Sequence, residues 1–192
     1  MPYKILKQNQ FTDEGGYLLT SIRPQDIQSI RIWRNQQMEV LRQNKLITSQ
    51  EQVEYFDKAV WPTLAESQPK QILVSFLYRE ELIGYGGLTN IDWPSKRAEI
   101  SFLLDPHHAE NRELYRQDFL HFLTLLSKLT FEDLELQRLF TETYAFRELH
   151  IKILEEFGMQ REGVLRQHVN KGGSFYDTIL HGLLCKEYLN GK

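Results

Sequence analysis

One cysteine, Cys185, is all the chain contains, which excludes an internal disulfide and a cysteine-rich metal site. It lies in the apolar run "ILHGLLCKEY" and reads as a buried small hydrophobe, since no His or Asp stands at a recognisable nucleophile spacing around it. Positive charge is also short: 23 Lys and Arg against 26 Asp and Glu give a net charge of -3, so no global field is available to hold a nucleic-acid backbone. Long apolar runs are missing as well. No stretch approaches the roughly 20 residues of a membrane span, and "MPYKILKQNQFTDEGGYLL" lacks the apolar core and cleavage site of a signal peptide. A cytoplasmic protein with neither nucleic acid nor membrane as partner is expected. No repeat, low-complexity tract or Ser/Gly-rich linker divides the sequence, and no glycine occurs between Gly87 and Gly158. What is present suffices for a core: 192 residues, 41% hydrophobic and 12% aromatic, are expected to form one domain over residues 1–192.

Periodicity supplies the elements. After the strand "YLLTSIR", Pro24 suits a first helical position, and Ile27, Ile30 and Trp33 recur at helical spacing. A second helix opens at "TSQEQVEYF", where Ser49 and Gln52 make a capping box. The segment "TLAESQPKQ" (63–71) is polar and proline-marked and reads as a surface loop. Two strands, "QILVSFLY" and "LIGYGGLTNID", meet across "REE" as a hairpin whose glycines, Gly84, Gly86 and Gly87, suggest a bulge or a close approach. The strand "RAEISFLLD" alternates Ile100, Phe102 and Leu104 with Glu99, Ser101 and Leu103, so one face carries a carboxylate. A long amphipathic helix follows, with Asn111 as candidate N-cap. Then come the strand "LQRLFTETYAF", the helix "RELHIKILEEF", and a hairpin turning on "KGG". The order implies a mixed α/β, α+β-like domain whose sheet is mostly antiparallel, with one strand–helix–strand crossover.

Over residues 17–188, "AEISFLLDP…LHFLTLL…LFTETYAFRELHIKILEEFGMQREGVLRQHVNKGGSFYDTILHGLLCKEY" resembles the GNAT superfamily of acetyl-CoA-dependent N-acetyltransferases. The closing segments are similar to the branch containing ribosomal-protein N-terminal acetyltransferases. "IRIWRNQQ", "ELIGYGGLTNIDWPSKRAEISFLLDP" and "TETYAF" resemble members that acetylate amino groups on nucleotide-linked sugars. The resemblance implies a splayed sheet with pantetheine in the gap beside Phe102, Leu103 and Leu104, and pyrophosphate over the next helix N-terminus. The family's glycine-rich turn is replaced by "HHAENRELY". Asn111, Arg112 and Arg116 are the expected substitutes there, with Arg147 at the place of the family's usual asparagine, while Glu110 and Glu113 add opposing charge. The tyrosine that many members use as general acid falls on Leu154.

Acyl transfer to an amine needs a proton acceptor, an amide donor for the developing oxyanion, and a geometry that holds the reactants together. Glu99 is the first candidate base, with a surface pair to Arg97 or Lys96 as the other reading. His168, in the penultimate strand, has a suitable ordinary pKa but reads equally as a hairpin surface residue, and Tyr144 is placed to donate to sulfur or carbonyl. Backbone N–H groups near Leu103 and Leu104 are the expected oxyanion donors. Asp177 is read as bracing the last hairpin. Trp33, Arg34 and Trp93 are expected to contact the acceptor, Trp93 by stacking from its turn. No metal is expected: adjacent His107 and His108 point apart and lack a partnering carboxylate spacing. The function expected is acetyl transfer from acetyl-CoA to a small-molecule amine, first an amino sugar linked to a nucleotide, then a protein N-terminus. A GNAT-shaped binding module without catalysis is the alternative. A C-terminal hairpin of this kind can pair across a homodimer, though nothing in the sequence requires it.

Overall fold

The fold was obtained as a computed structural model, which describes residues 2–191. Eight strands form one sheet in the order β1-β2-β3-β4-β5-β6-β8-β7, namely β1 (Gln10–Thr12), β2 (Tyr17–Ser21), β3 (Ile72–Tyr78), β4 (Glu81–Asp92), β5 (Arg97–Leu104), β6 (Arg138–Tyr144), β7 (Gln160–Lys171) and β8 (Ser174–Leu184). Every neighbouring pair is antiparallel except β5 and β6. The α-helices are α1 (Ile27–Gln36), α2 (Ser49–Tyr55), α3 (Pro106–Glu110), α4 (Arg112–Ser127), α5 (Glu148–Glu156) and α6 (Cys185–Asn190), with π-helical turns continuing α2 over Phe56–Val60 and α4 over Lys128–Asp133. The mixed α/β order read from periodicity therefore holds, with β1, α3 and α6 added to it.

The alternation on β5 divides the core in two. Ala98, Phe102 and Leu104 join Phe119, Phe122, Leu123, Ile153 and Leu154 in the larger cluster, under α4 and α5. Leu103 joins Ile30, Trp33, Phe56 and Tyr85 in a smaller cluster under α1 and α2. Period-2 sidedness on a strand thus sends each helical layer to its own face. Glu99 and Ser101, in phase with Leu103, belong to the α1–α2 side.

Three local expectations are corrected. The α2 capping box is built one residue earlier: Thr48 accepts from the Glu51 amide at 3.2 Å and Glu51 accepts from the Thr48 amide at 2.9 Å. Thr48, not Ser49, has the extended backbone a cap requires. The Thr48 amide, then Lys45, hold the Glu51 carboxyl at about 2. Cys185 begins α6 and is only half-buried. Trp93 donates from Nε1 to the Pro69 carbonyl at 2.9 Å and packs on the main core, so it pins its turn and lines none of the cavities described below.

The glycine-rich strand is explained by close approach. Gly86 sits opposite Phe102 in the β4–β5 register, and a Cβ there would lie 2.1 Å from the Ser101 carbonyl oxygen and 2.8 Å from Phe122 Cζ. Neither the sheet nor the α4 ring can retreat without loss of packing. Gly86→Ala is therefore expected to destabilise the protein by about 1–3 kcal/mol, the usual range for overpacking, seen as a lower urea midpoint with an unchanged m-value; an unshifted midpoint would refute the close-approach account.

Candidate functional site

The site begins where β5 and β6 part. Their parallel pairing is confined to Arg97↔Arg138, Ala98↔Leu139 and Glu99↔Phe140, after which the strands diverge and leave a gap. The Asp105 amide donates to the Ile83 carbonyl at 2.8 Å, and alternation along an antiparallel ladder then turns the amides of Leu103 and Ser101 towards β4 as well. Phe102 and Leu104 face the gap instead. The expected donor Leu103 is thereby corrected: its N–H belongs to the sheet, and its side chain to the α1–α2 core. The Leu104 carbonyl on the open edge accepts from Gln37 Nε2 at 2.8 Å.

A cleft of about 360 Å³ opens beside this edge, lined among others by Arg34, Arg42, Glu99, Glu142, Tyr144 and Arg147. Glu99 is 6% exposed. Its carboxylate accepts from Arg42 at 2.6 Å and from Asn90 Nδ2 at 2.5 Å, so the surface pair with Arg97 or Lys96 is not formed; Arg97 pairs with Asp92. Arg42 also bonds Glu142 at 3.0 Å. One guanidinium thus sits between two carboxylates at the head of the gap. The segment carrying it is held by Lys171, whose Nζ donates to the carbonyls of Met38, Leu41 and Gln43 and lies 5.5 Å from the Tyr144 ring centroid. Burial pushes the Tyr144 phenol up against the pull of Arg42 and Arg147, so it is a neutral O–H at ordinary pH.

The second cleft, of about 620 Å³, runs between the starts of α4 and α5 and is lined by Gln37, Glu110, Arg112, Tyr115, Arg147 and His150 among others. Here the glycine-free turn shows its construction. Asn111 caps α4, accepting from the amides of Glu113 at 3.0 Å and Leu114 at 3.1 Å. Asp105 takes the His107 amide at 2.8 Å. Donors that a helix start offers to an anion are therefore partly consumed by side chains, and Arg112 and Arg147 supply the positive charge lining the cleft. His108 is a brace, bonded at 2.6 Å to buried Asp118, which also accepts from the Tyr17 hydroxyl at 2.8 Å.

Arg116 is corrected: it is committed to Glu156 on α5 and Glu113 on its own helix and does not line the cleft. Trp33 is a core residue. His168 lies exposed within the bulge between Leu165 and Val169 of the edge strand β7, away from both clefts. Asp177 accepts from the Gln167 amide at 2.8 Å in that bulge, the bracing role expected of it.

Arg42, Glu142, Asn90, Lys171 and His150 were not singled out from the sequence. Glu142 carried a signal in the alternation of Phe140, Glu142 and Tyr144 on β6, whereas Arg42 sits in an aperiodic segment that carries none. Arg147 is fixed by Tyr115 and His150: its Nη2 donates to the Tyr115 hydroxyl at 3.1 Å, and that hydroxyl is hydrogen-bonded to His150 Nδ1 at 2.7 Å. Leu154 is fully buried in the core.

The family profile described as "Acetyltransferase (GNAT) domain" matches residues 19–180. An uncharacterized N-acetyltransferase, YoaA of Bacillus subtilis (strain 168), is 31% identical over 108 residues, which are 55% of this chain and 56% of the relative. The chain is thus matched to little more than half of that protein's length. Among solved structures, a chimera of the Vibrio cholerae spermidine N-acetyltransferase SpeG with hSSAT superposes with TM-score 0.77 at 18% identity, covering 91% of this chain and 99% of its own. The Vibrio cholerae enzyme in complex with CoA and spermine gives TM-score 0.75 at 19% identity, with 91% and 99% covered. These two likenesses show the fold.

Burial, with Arg147 beside it, pushes the His150 imidazole well below its usual value of 6.5, and His181, fully buried, is lowered by the same cause. The unfolded chain takes up protons near pH 6.5 that the folded one refuses, so stability is present above that pH and is lost as pH falls below it. Each such histidine contributes at most about 1.4 kcal/mol per pH unit. Urea unfolding at pH 7.5, 6.5 and 5.5 should show a falling free energy, with a shallower fall in a His150→Phe variant; equal slopes would show that His150 titrates normally in the fold.

Proposed function

Because the chain belongs to the GNAT acetyltransferase family, we propose that it transfers acetyl from acetyl-CoA to a primary amine held at Glu99. The observation that carries this reading is a carboxylate, 6% exposed, at the last position where β5 still pairs with β6. Its partners, Arg42 and Asn90, are cationic and amide donors. A site that already holds a guanidinium between Glu99 and Glu142 suits an ammonium.

Acetyl-CoA would supply the acetyl group as a thioester. Its fit is supported by the open β5 edge, where the amides of Phe102 and Leu104 face the gap. Ligand polar groups at that edge replace the Gln37 side chain on the Leu104 carbonyl. Arg112 and Arg147 are the groups assigned to its phosphates, with Asn111 shaping the helix start rather than binding. Glu99 takes the proton of the acceptor ammonium, directly or through a water, after Arg42 shifts to Glu142. The Phe102 and Leu104 amides are the donors for the carbonyl oxygen, and the Tyr144 hydroxyl is the group assigned to the leaving sulfur.

For the acceptor, the resemblance of "IRIWRNQQ" and "TETYAF" supports an amino group on a nucleotide-linked sugar. A polyamine is the second reading, favoured by the paired carboxylates Glu99 and Glu142 and by the fold shared with spermidine N-acetyltransferases. A protein N-terminus comes third, supported by the closing hairpin's resemblance alone.

Acetyl-CoA should bind the purified protein with micromolar affinity by calorimetry, and Glu99→Gln should leave that affinity within a factor of about two. The same variant should lower kcat by about 10²–10⁴, the usual worth of a positioned base. Full activity in Glu99→Gln would remove Glu99 from the chemistry. Absence of acetyl-CoA binding at millimolar concentration would replace the enzyme reading with a binding module.

A further inference from the structure

We propose that Arg34 is an anion-reading group, so that the amine accepted at Glu99 belongs to a molecule that also carries a carboxylate or phosphate. This rests on the acetyl-transfer reading for the amine end and adds a requirement for the other end. Arg34 lies in the last turn of α1, half-buried. Its Nε donates to Gln43 Oε1 at 3.1 Å and its Nη1 to the Tyr85 hydroxyl at 2.6 Å. Both partners are neutral, and among the described residues no carboxylate pairs with it. By contrast Arg42, a few residues away in the same cleft, is held by two carboxylates.

The position of Arg34 gives that unmatched charge a use. It lines the cleft that holds Glu99 and also a neighbouring cavity of about 420 Å³, walled by Ile30, Ile47, Phe56 and Leu73 among others. Thr89 and Ser101 line both as well, so the two spaces meet along β4 and β5. A ligand seated across this junction has a carboxylate at one end and a guanidinium at the other. Gln43 and Tyr85 hold Arg34 through Nε and Nη1, which fixes its plane and leaves Nη2 for a ligand. Its hydrogens lie in the guanidinium plane, where they donate to a carboxylate or phosphate oxygen through a charge-assisted hydrogen bond. A polyamine laid along the same path would set an ammonium against a half-desolvated guanidinium, which like-charge repulsion opposes. Lys45 lines the outer cavity too, but it is already paired with Glu51 at 2.9 Å.

The test uses matched amines on the full chain in the presence of CoA: phenylalanine against phenethylamine, glucosamine 6-phosphate against glucosamine, and spermidine, each titrated by calorimetry. Turnover with acetyl-CoA is followed in parallel. The anion-bearing member of at least one pair is expected to bind at least about ten-fold tighter than its neutral partner, the scale of one charge-assisted hydrogen bond. The pair that shows the preference says whether carboxylate or phosphate is read. Arg34→Gln should abolish the preference by raising the Kd and KM of that member about ten-fold or more relative to those of its neutral partner, and Arg34→Lys should restore part of it. Equal binding within both pairs, tighter binding of spermidine, or an equal loss for both members in Arg34→Gln would each overturn the proposal. The wild-type comparison decides it even if the variants do not fold. A preference without any turnover would leave the anion site standing and sink the acetyl-transfer reading instead.

Discussion

The gap in the sheet, and the clefts proposed to serve acetyl transfer beside it, depend on the short parallel contact between β5 and β6. Parallel neighbours need a crossover, here α4, and α4 packs its phenylalanines on Phe102 from one side of the sheet. That packing holds β5 in register with β4 along its length, while β6 is held by β8 over all seven of its residues. Each strand is thus fixed by its outer neighbour, and the inner contact is free to end after Glu99. The gap is therefore a consequence of where the ladders are satisfied rather than of a missing element. It leaves backbone donors of β5 unpaired at a place the core keeps rigid, the pre-organisation that acyl transfer requires.

Charge at the head of the gap is arranged in a chain rather than a patch. Glu99, Arg42 and Glu142 alternate in sign, and Lys171 fixes the backbone that carries Arg42. A buried carboxylate without a partner would be costly, so a resident cation is what allows Glu99 to sit at 6% exposure before any ligand arrives. The β7–β8 hairpin, remote in sequence, takes part in the site through a single ammonium on three carbonyls. Arg42 is more than half exposed on its side chain, so its release costs less than that of a buried partner.

Much of this was legible in the sequence, and the reasons are specific. Alternation on "RAEISFLLD" put Glu99 and Phe102 on opposite faces, and the structure gives those faces to two separate helical layers. The crossover, the hairpins and the Asn111 cap followed from turn and capping chemistry that is local. Leu103 was misassigned because side-chain alternation says which face a residue takes but not to which neighbour its amide points; that depends on the register with β4, which is non-local. Of the two readings open for His168, the hairpin surface residue holds: a bulge over residues 166–168 breaks the ladder, and Asp177, which takes the Gln167 amide there, lies across the hairpin, out of reach of a local pattern. Arg42 was invisible because aperiodic segments are positioned by their contacts alone.

The turn "DPHHAENRELY" shows how a helix start can be rebuilt without glycine, and what the change does to its chemistry. A glycine-rich turn presents bare amides, which recognise an anion by backbone geometry and tolerate few side chains nearby. Here Asp105 and Asn111 satisfy amides internally, and His108 is tied through Asp118 to the Tyr17 hydroxyl. A carboxylate and a carboxamide of the turn itself thus take amides that a glycine-rich turn would offer to an anion. Positive charge moves outward to Arg112 and inward to Arg147, the latter fixed by the buried Tyr115–His150 pair. Arg147 lines both clefts, so the group assigned to the phosphates reaches the space where Glu99 stands. An anion held by such side chains is bound through salt-screened charges rather than backbone dipoles. Its affinity should accordingly fall more steeply with ionic strength than that of a glycine-rich cradle.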